Sequence, residues 1–288
     1  MKDLIDAGVH FGHRVSRWNP KMKPYIFGKR NQIHIINIKE TLKGILLAKR
    51  FLGQTVIGGK DVLWVGTKRQ ARKAVADAAA RTNMHYVNDR WLGGTLTNFR
   101  EIRKRIGRLD ELEKMEAGGQ LDTYSKKEGS ALRRELRKVR RNLQGIRRMT
   151  AMPGALVIVD QKREIIAVRE ARKMHIPVVA LLDTDSDPDL IDIPIPGNDD
   201  AMRAIELIVK ELGEAAAEAV AGRKDADAEQ GDAAELRRRS RRPTTARAEE
   251  PLEGEEKPTA AQTEAPAAAP ATAPADGPAV TPSGPATA

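Results

Sequence analysis

Cysteine is absent from the 288 residues, which excludes a disulfide framework and any thiolate metal site. No apolar run approaches the ~20 residues that a membrane-spanning helix needs. No secretory signal is expected, because Met1 is followed by KDLIDAGVHFGH, too short and too polar for an h-region. The Arg- and Ser-rich bias of an organellar transit peptide is missing too, so the cytosol is the expected compartment. Aromatic residues make up only 3% of the chain. All of them but Tyr124 precede Arg100, so the first third holds most of the large apolar anchors.

Positive charge, by contrast, is plentiful. Lys and Arg number 50 against 40 Asp and Glu, a formal net charge of +10. The excess is uneven. From Asp225 onward there are 7 basic and 12 acidic residues, which leaves +15 on residues 1–224. A surface that basic attracts nucleic acid or anionic membranes. Residues 225–288 end in APAAAPATAPADGPAVTPSGPATA. They cannot bury enough apolar surface to offset their ordering entropy and are expected to be disordered. Within them RRRSRRP, Arg237 to Pro243, reads equally as a nucleic-acid contact and as a solvated charge run.

The body alternates apolar runs with helical patterns. IHIINI (Ile33–Ile38), DVLWVG (Asp61–Gly66), MHYV, ALVIVD (Ala155–Asp160), PVVALLD (Pro177–Asp183) and IDIPIP read as strands. Between them lie helical segments, one with Leu42, Ile45, Leu46 and Leu52 on its apolar face and the last running from about Asn198 to Val220. Strand–helix alternation with continuously apolar strands predicts a parallel sheet covered on both faces. The stretch between MHYV and ALVIVD breaks the pattern. Phe99, Ile102, Ile106 and Leu109 recur at helical spacing, as do Leu132, Leu136, Val139, Leu143 and Ile146, with AGGQLDTYS as the turn. This predicts an antiparallel helical hairpin over 98–148, whose 16 basic and 8 acidic residues give it a net +8. The expected organisation is a sheet domain (1–97 and 149–224) with an extended basic segment at 8–32, the hairpin arm, and the tail.

Two glycine turns invite a nucleotide reading. VGTKRQ follows a strand and opens a helix, as phosphate loops do. Yet the Walker spacing is absent, since position 61 is Asp and Lys68 is followed by Arg69, and no GxGxxG follows a strand. The turn is either a plain connection or a place where Lys68, Arg69 and Arg72 face RNA phosphates. In DRWLGGTLTNF (Asp89–Phe99), Gly93 and Gly94 allow positive φ or close backbone approach. Thr95 or Thr97 is expected to cap the next helix, Trp91 to pack at its root, and Arg90 to contact phosphate. No GxSxG or HExxH occurs, and the five histidines do not assemble an obvious zinc set, so no metal and no cofactor are expected. Asp183, Asp185, Asp187, Asp189 and Asp192 follow a strand end, where a magnesium-dependent phosphotransferase places carboxylates. The same residues suit turns, with Asn198 as the cap of the next helix and Asp199 and Asp200 at its positive end, and the acids here could equally bind a basic neighbour or a hydrated magnesium ion held by RNA. At the amino end Phe11, Trp18, Tyr25 and Phe27 interleave with cations, and residues 1–31 hold 7 basic and 2 acidic side chains. Aromatics inward and cations outward would pin the segment and bind phosphate together.

AGVHFGH, WNPKMKPYIFGKRNQIHIINI, VGTKRQA, RWLGGTLTNF and DTDSDPDLIDIPIPGNDDAMRAI, taken in order, resemble the bacterial ribosomal protein S2 family from about Asp3 to Val220. The tail falls outside that pattern, and DQKREIIAVREARKM is more basic than the family helix it matches. The resemblance implies an α/β, flavodoxin-like three-layer α/β/α fold with about five parallel strands and an inserted helical hairpin. It implies a structural component of the small ribosomal subunit near the head–body junction, with no catalytic activity. Its partners would be ribosomal RNA and neighbouring ribosomal proteins, including the large mRNA-binding protein of repeated OB-folds, and no membrane. Charge, turn position and resemblance together nominate Arg14, Arg17, Lys21, Lys23, Lys29, Arg30, Lys68, Arg69, Arg72, Arg90, Asn98, Arg100, Arg103 and Lys104 as RNA-binding. Two rival expectations stand beside this one: a phosphotransferase using Asp183–Asp192 and the VGTKRQ turn, and a free RNA-binding adaptor.

Overall fold

The chain opens with a short helix α1 (Lys2–Asp6) and three strands, β1 (Phe11–Arg14), β2 (Ile26–Arg30) and β3 (Ile33–Ile36). They pair antiparallel in the order β1-β3-β2. The IHIINI strand, grouped above with the others by its apolar run, therefore belongs to a separate small sheet. The β2–β3 connection is a two-residue turn at Asn31 and Gln32, both with positive φ (48° and 58°), as the type I′ hairpin turn requires. An Asn-Gln turn gives a far weaker sequence signal than Asn-Gly, which is why the hairpin was not expected. The segment before it is not extended either. Pro20–Tyr25 forms 3-10 turns, with Pro20 at the start, where its missing N–H costs nothing, and Asn19 Oδ1 accepting from Lys21 N at 3.0 Å.

The computed structural model describes the backbone of residues 1–240 and the side chains of residues 1–223. After α2 (Ile38–Ile57) come β4 (Val62–Val65), α3 (Arg72–Thr82) and β5 (His85–Val87). Two helices follow, α4 (Phe99–Ala117) and α5 (Lys126–Leu143). The chain returns through β6 (Ala155–Val159), α6 (Ile165–Lys173), β7 (Val178–Leu182), β8 (Ile193–Pro196) and α7 (Met202–Ser240). Strands β4 to β8 form a parallel sheet in the order β5-β4-β6-β7-β8. This is the doubly wound arrangement, with its switch point between β4 and β6.

The pleat explains the continuous apolar strands. Val62, Trp64, Ala155, Val157, Val159, Val179 and Leu181 face one core with α2, α3 and α7. Leu63, Val65, Leu156, Ile158, Val178, Ala180 and Leu182 face the other with α6 and the base of α4 and α5. Because successive residues point to opposite faces, a sheet covered on both sides needs apolar residues at every position. On α2 the buried stripe is Thr41, Gly44, Ile45, Ala48, Leu52 and Val56, so Leu46, expected on that face, is instead 59% exposed.

Helices α4 and α5 share a small core of their own, Leu109, Leu112 and Leu136, with Met115, Leu132 and Val139 against it. Arg140 on α5 pairs with Glu113 on α4 (2.9 Å), and Arg147, in the segment that follows α5, pairs with both Asp110 and Glu113 of α4. The last helix passes its expected end near Val220 and continues to Ser240. Residues 225–240, at the head of the expected disordered tail, are therefore helical. Poor core-forming composition does not forbid a helix where Ala, Glu, Asp and Arg run on with no proline before Pro243. Residues 241–288, the rest of that tail, lie outside the described residues.

Candidate nucleic-acid interface

The turns after β4, β5 and β7 leave the carboxyl ends of the parallel strands, the place where such sheets bind ligands. The chain's own side chains fill all three. After β4, the Glu164 carboxylate accepts from Thr67 N at 3.0 Å and also from the Thr67 hydroxyl. Glu164 is buried, which pushes its carboxyl above the usual range despite those bonds. Next to it Lys68 Nζ lies 2.7 Å from Asp199, 2.7 Å from Asp200 and 3.3 Å from Asp160. Burial works against the ammonium charge, but the carboxylates outweigh it and raise the Lys68 pKa. Asp199 is pushed up to about 7, first by burial and then by Asp160 and Asp183, with Lys68 opposing. Asp200, nearer solvent, is held below the usual range by Lys68.

After β5, DRWLGGTLTNF wraps around a single carboxylate. Glu170 of α6 accepts from Gly94 N (2.7 Å), Leu96 N (3.0 Å) and Thr97 N (3.3 Å). The Trp91 indole (3.2 Å) and the Thr97 hydroxyl (3.4 Å) add to these. Gly94 has φ +88°, a conformation that L side chains rarely adopt, and it aims its N–H at Glu170. Gly93 has neither a positive φ nor a close neighbour. This loop has the form of an anion cradle, and its anion is internal. Trp91 packs with Ile102, Ile106, Leu143 and Ile146 at the root of α4, as expected. Neither threonine caps that helix. Asn98 holds the cap position without a capping hydrogen bond, because Thr97 is engaged by Glu170 and Thr95 donates to Leu92 O.

After β7, Asp183 receives His13. His13 Nδ1 lies 2.7 Å from Asp183, and His13 N donates to both Asp183 (3.2 Å) and Thr184 (3.0 Å). The hydrogen bond to Asp183 is the main cause that lifts the His13 pKa to about 9, against its burial. The approach requires Gly12, where a Cβ would stand 2.6 Å from Thr184 Cγ2. The other loop acids are engaged as well. Lys162 pairs with Asp185 at 3.0 Å, Lys21 with Asp187 (2.8 Å) and Asp189 (2.7 Å), and Val178 N donates to Asp192 at 2.8 Å. His13, Asp199 and Asp200 offer ligand atoms within 4.8 Å of one another. A divalent ion there would compete with the Lys68 ammonium, which already holds both carboxylates.

The nominated cations divide accordingly. Lys68, expected to face phosphate, is buried and neutralised, since a lysine at a strand-end turn is drawn to the acids beside it. Lys21 is bound to the acidic loop. Arg14, Arg17, Lys23, Lys29, Arg30, Arg69, Arg90 and Arg100 are exposed and make no ion pair among the described residues. Arg103 donates to Met149 O at 3.1 Å and lies over the Phe99 ring, and Lys104 pairs with Glu101 at 2.6 Å. Arg90 lines two adjoining clefts, one with Arg72, Arg141 and Arg163, the other with Arg105, Arg108 and Lys138. Asp89 is shared between Arg72 (3.1 Å) and Arg141 (2.7 Å), so one carboxylate sits among several guanidiniums. Of the cations lining these clefts, sequence reasoning did not nominate Arg105, Arg108, Lys138, Arg141 and Arg163. The signal for two of them was present: Lys138 and Arg141 stand three apart on the polar face of α5.

The family model described as ribosomal protein S2 matches residues 4–219. The chain belongs to that family. Among curated relatives, the small ribosomal subunit protein uS2 of Rhodopirellula baltica is 58% identical over 215 residues, 75% of this chain and 83% of its own length. The protein of the same name from Syntrophobacter fumaroxidans is 54% identical over 218 residues, 76% and 80% of the two chains. That from Synechocystis sp. is 50% identical over 225 residues, 78% and 84%. The match ends inside α7, so the family pattern covers both cores and α4–α5 and stops before the Ala- and Pro-rich end.

Proposed function

We propose that this chain is a non-enzymatic structural component of the small ribosomal subunit, acting in the cytoplasm on the ribosome. It binds ribosomal RNA and docks neighbouring ribosomal proteins. Membership of the S2 family and the names of its relatives support this reading. The observation that carries it from the structure is the division of charge. Internal carboxylates and cations close the turns an enzyme would use, while arginines and lysines around Arg90 and on the β1–β3 sheet stand exposed. Exposed cations neutralise phosphates and fix orientation, and RNA shape supplies the site. The RNA-facing set we propose is Arg14, Arg17, Lys23, Lys29, Arg30, Arg69, Arg72, Arg90, Asn98, Arg100, Arg103 and Lys104, with Arg141 and Arg163 added. The large OB-fold mRNA-binding protein is the neighbour we propose for a protein-facing surface.

Sucrose-gradient fractionation tests the assignment. Co-migration with small-subunit RNA through a moderate-salt wash is the expected result. A protein found only at the top of the gradient and stabilised against heat by ATP or GTP with magnesium would restore the phosphotransferase alternative.

A further inference from the structure

The amino ends of the parallel strands, opposite the strand-end crevice, surround a cleft of about 640 Å³. Lys60 stands just before β4, Gly154 before β6 and Ile176 before β7, and all three line it. Phe51 of α2, Met152 and Met174 complete its apolar part. Phe51 packs against the first core and Ile176 is buried. Met152 and Met174 instead remain 37% and 38% exposed. Ile57, on the last turn of α2 beside the lining residue Gly58, is 65% exposed. Methionines open on a concave surface are adaptable anchors for a protein segment.

Two helices end at this cleft, and they end alike. At the close of α2, Lys60 N donates to Thr55 O (3.2 Å) and Gly59 N to Val56 O (3.0 Å). At the close of α6, Ile176 N donates to Ala171 O (2.9 Å) and His175 N to Arg172 O (3.2 Å). Both are Schellman turns, which take a left-handed residue. The first supplies Gly59 (φ 80°), the second His175 (φ 55°). Glycine would serve the second turn with less strain, so the backbone alone does not account for an imidazole at the cleft edge.

Charge selects the occupant. Among the described residues no acid lines the cleft. Lys60 does, with its stem against Gly154, where a Cβ would stand 2.5 Å from Lys60 Cβ. Lys60, Arg172 and Lys173 are exposed and make no ion pair among the described residues. Asp61, next to Lys60, lies 3.4 Å from His85. Each helix end brings roughly half a negative charge, which the three cations outweigh. The apolar surface left open by Met152, Met174 and Ile57 is aliphatic, and it suits an inserted side chain better than a stacked base. An apolar floor beneath a charged rim is the anatomy of a protein interface.

We infer that this cleft docks an acidic segment of a partner protein, which inserts one apolar side chain beside Met152 and Met174 while Lys60, Arg172 and Lys173 meet its carboxylates. The inference goes beyond the RNA-binding reading and does not depend on it.

Photo-cross-linking of the full chain in its own host cells tests this, with a benzophenone amino acid in place of Met152 or Met174. The cross-link is mapped to the residue by mass spectrometry. The expected target is an apolar residue flanked by Asp and Glu in one protein. Lys60→Glu/Lys173→Glu should cut the yield about tenfold, and Lys60→Arg/Lys173→Arg should keep it. Thermal melting of both double variants should match the parent, since the two lysines are exposed and unpaired. Lysines placed at the mapped acids of the partner should restore the yield with the Glu variant. Cross-links to RNA, to a segment without acids, or to nothing would each overturn the inference, as would an unchanged yield in the Glu variant. Sucrose-gradient position of the same chain is read separately: absence from the small subunit would sink the ribosomal assignment alone, and the mapped cross-link would still decide the role of the cleft.

Discussion

Lys68 and Arg90 both follow a strand of the same sheet, and both sit in turns that look suited to phosphate. Their fates are opposite. Lys68 lies inside the strand-end crevice with three carboxylates around it. Arg90 stands outside, between two clefts lined by further cations. The crevice shows what a doubly wound fold becomes when its ligand position is given to internal pairs: a lock that fastens the amino-terminal sheet, through His13, to the strand ends. The outer surface keeps the charge left over. Cations of one sequence type thus serve stability in one region and, in the other, are left exposed for the phosphate contacts we propose.

The sharpest way to break this contrast is to remove Lys68. Lys68→Met leaves Asp160 and Asp199 facing each other without their counter-ion. Loss of one partner of a buried pair costs about 3–5 kcal/mol, so chemical denaturation should show a large drop in midpoint. A change below about 1 kcal/mol would mean the crevice is wet and the lock weak. Glu170→Ala comes next. It leaves the Leu96 and Trp91 N–H groups buried without an acceptor, at a cost of about 3 kcal/mol in unfolding free energy. Gly94→Ala, which strains a left-handed residue in the same loop, should cost about 1–2 kcal/mol.

The fold was largely legible in the sequence, and the crevice was not. Continuously apolar strands and their alternation with helices announced the parallel sheet, because the pleat forces apolar residues onto both faces. The register of Ile102, Ile106 and Leu109 with Leu136, Leu143 and Ile146 likewise marked the buried stripes of α4 and α5. Glu164 and Glu170 were invisible as ligands, since two acids in a basic helix carry no periodic signal. Only the fold brings them under turns formed far earlier in the chain. Pairing of Lys68 with Asp199 spans 131 positions, and no local pattern reports such a contact. The small sheet was hidden for a different reason: its turn uses Asn31 and Gln32 in place of glycine.

A pH series sharpens the contrast further. The folded His13 pKa is raised to about 9. Its contribution to stability is therefore complete below about 6.5, its unfolded value, and is lost as pH rises through about 9. Solvent screening of this partly exposed group reduces the effect to about 1–2 kcal/mol. His13→Gln should flatten the stability profile between those limits, and a profile that keeps its fall in the variant would point to another group. Asp199, raised to about 7, acts in the same sense over a lower window. Its contribution is complete below its unfolded value and is lost as pH approaches about 7. Arg90→Ala is the smallest in stability terms. The unfolding free energy should change by less than about 0.5 kcal/mol, while the salt slope of RNA binding should fall by about one.

The most direct measurement is rebinding of the full chain to salt-washed small subunits across a salt series, comparing Arg90→Ala with Lys68→Met under conditions where both are folded by circular dichroism. A slope lower by about one for Arg90→Ala and unchanged for Lys68→Met is the predicted result. A lower slope for Lys68→Met with none for Arg90→Ala would contradict it, and would mean that the strand-end crevice opens to phosphate after all.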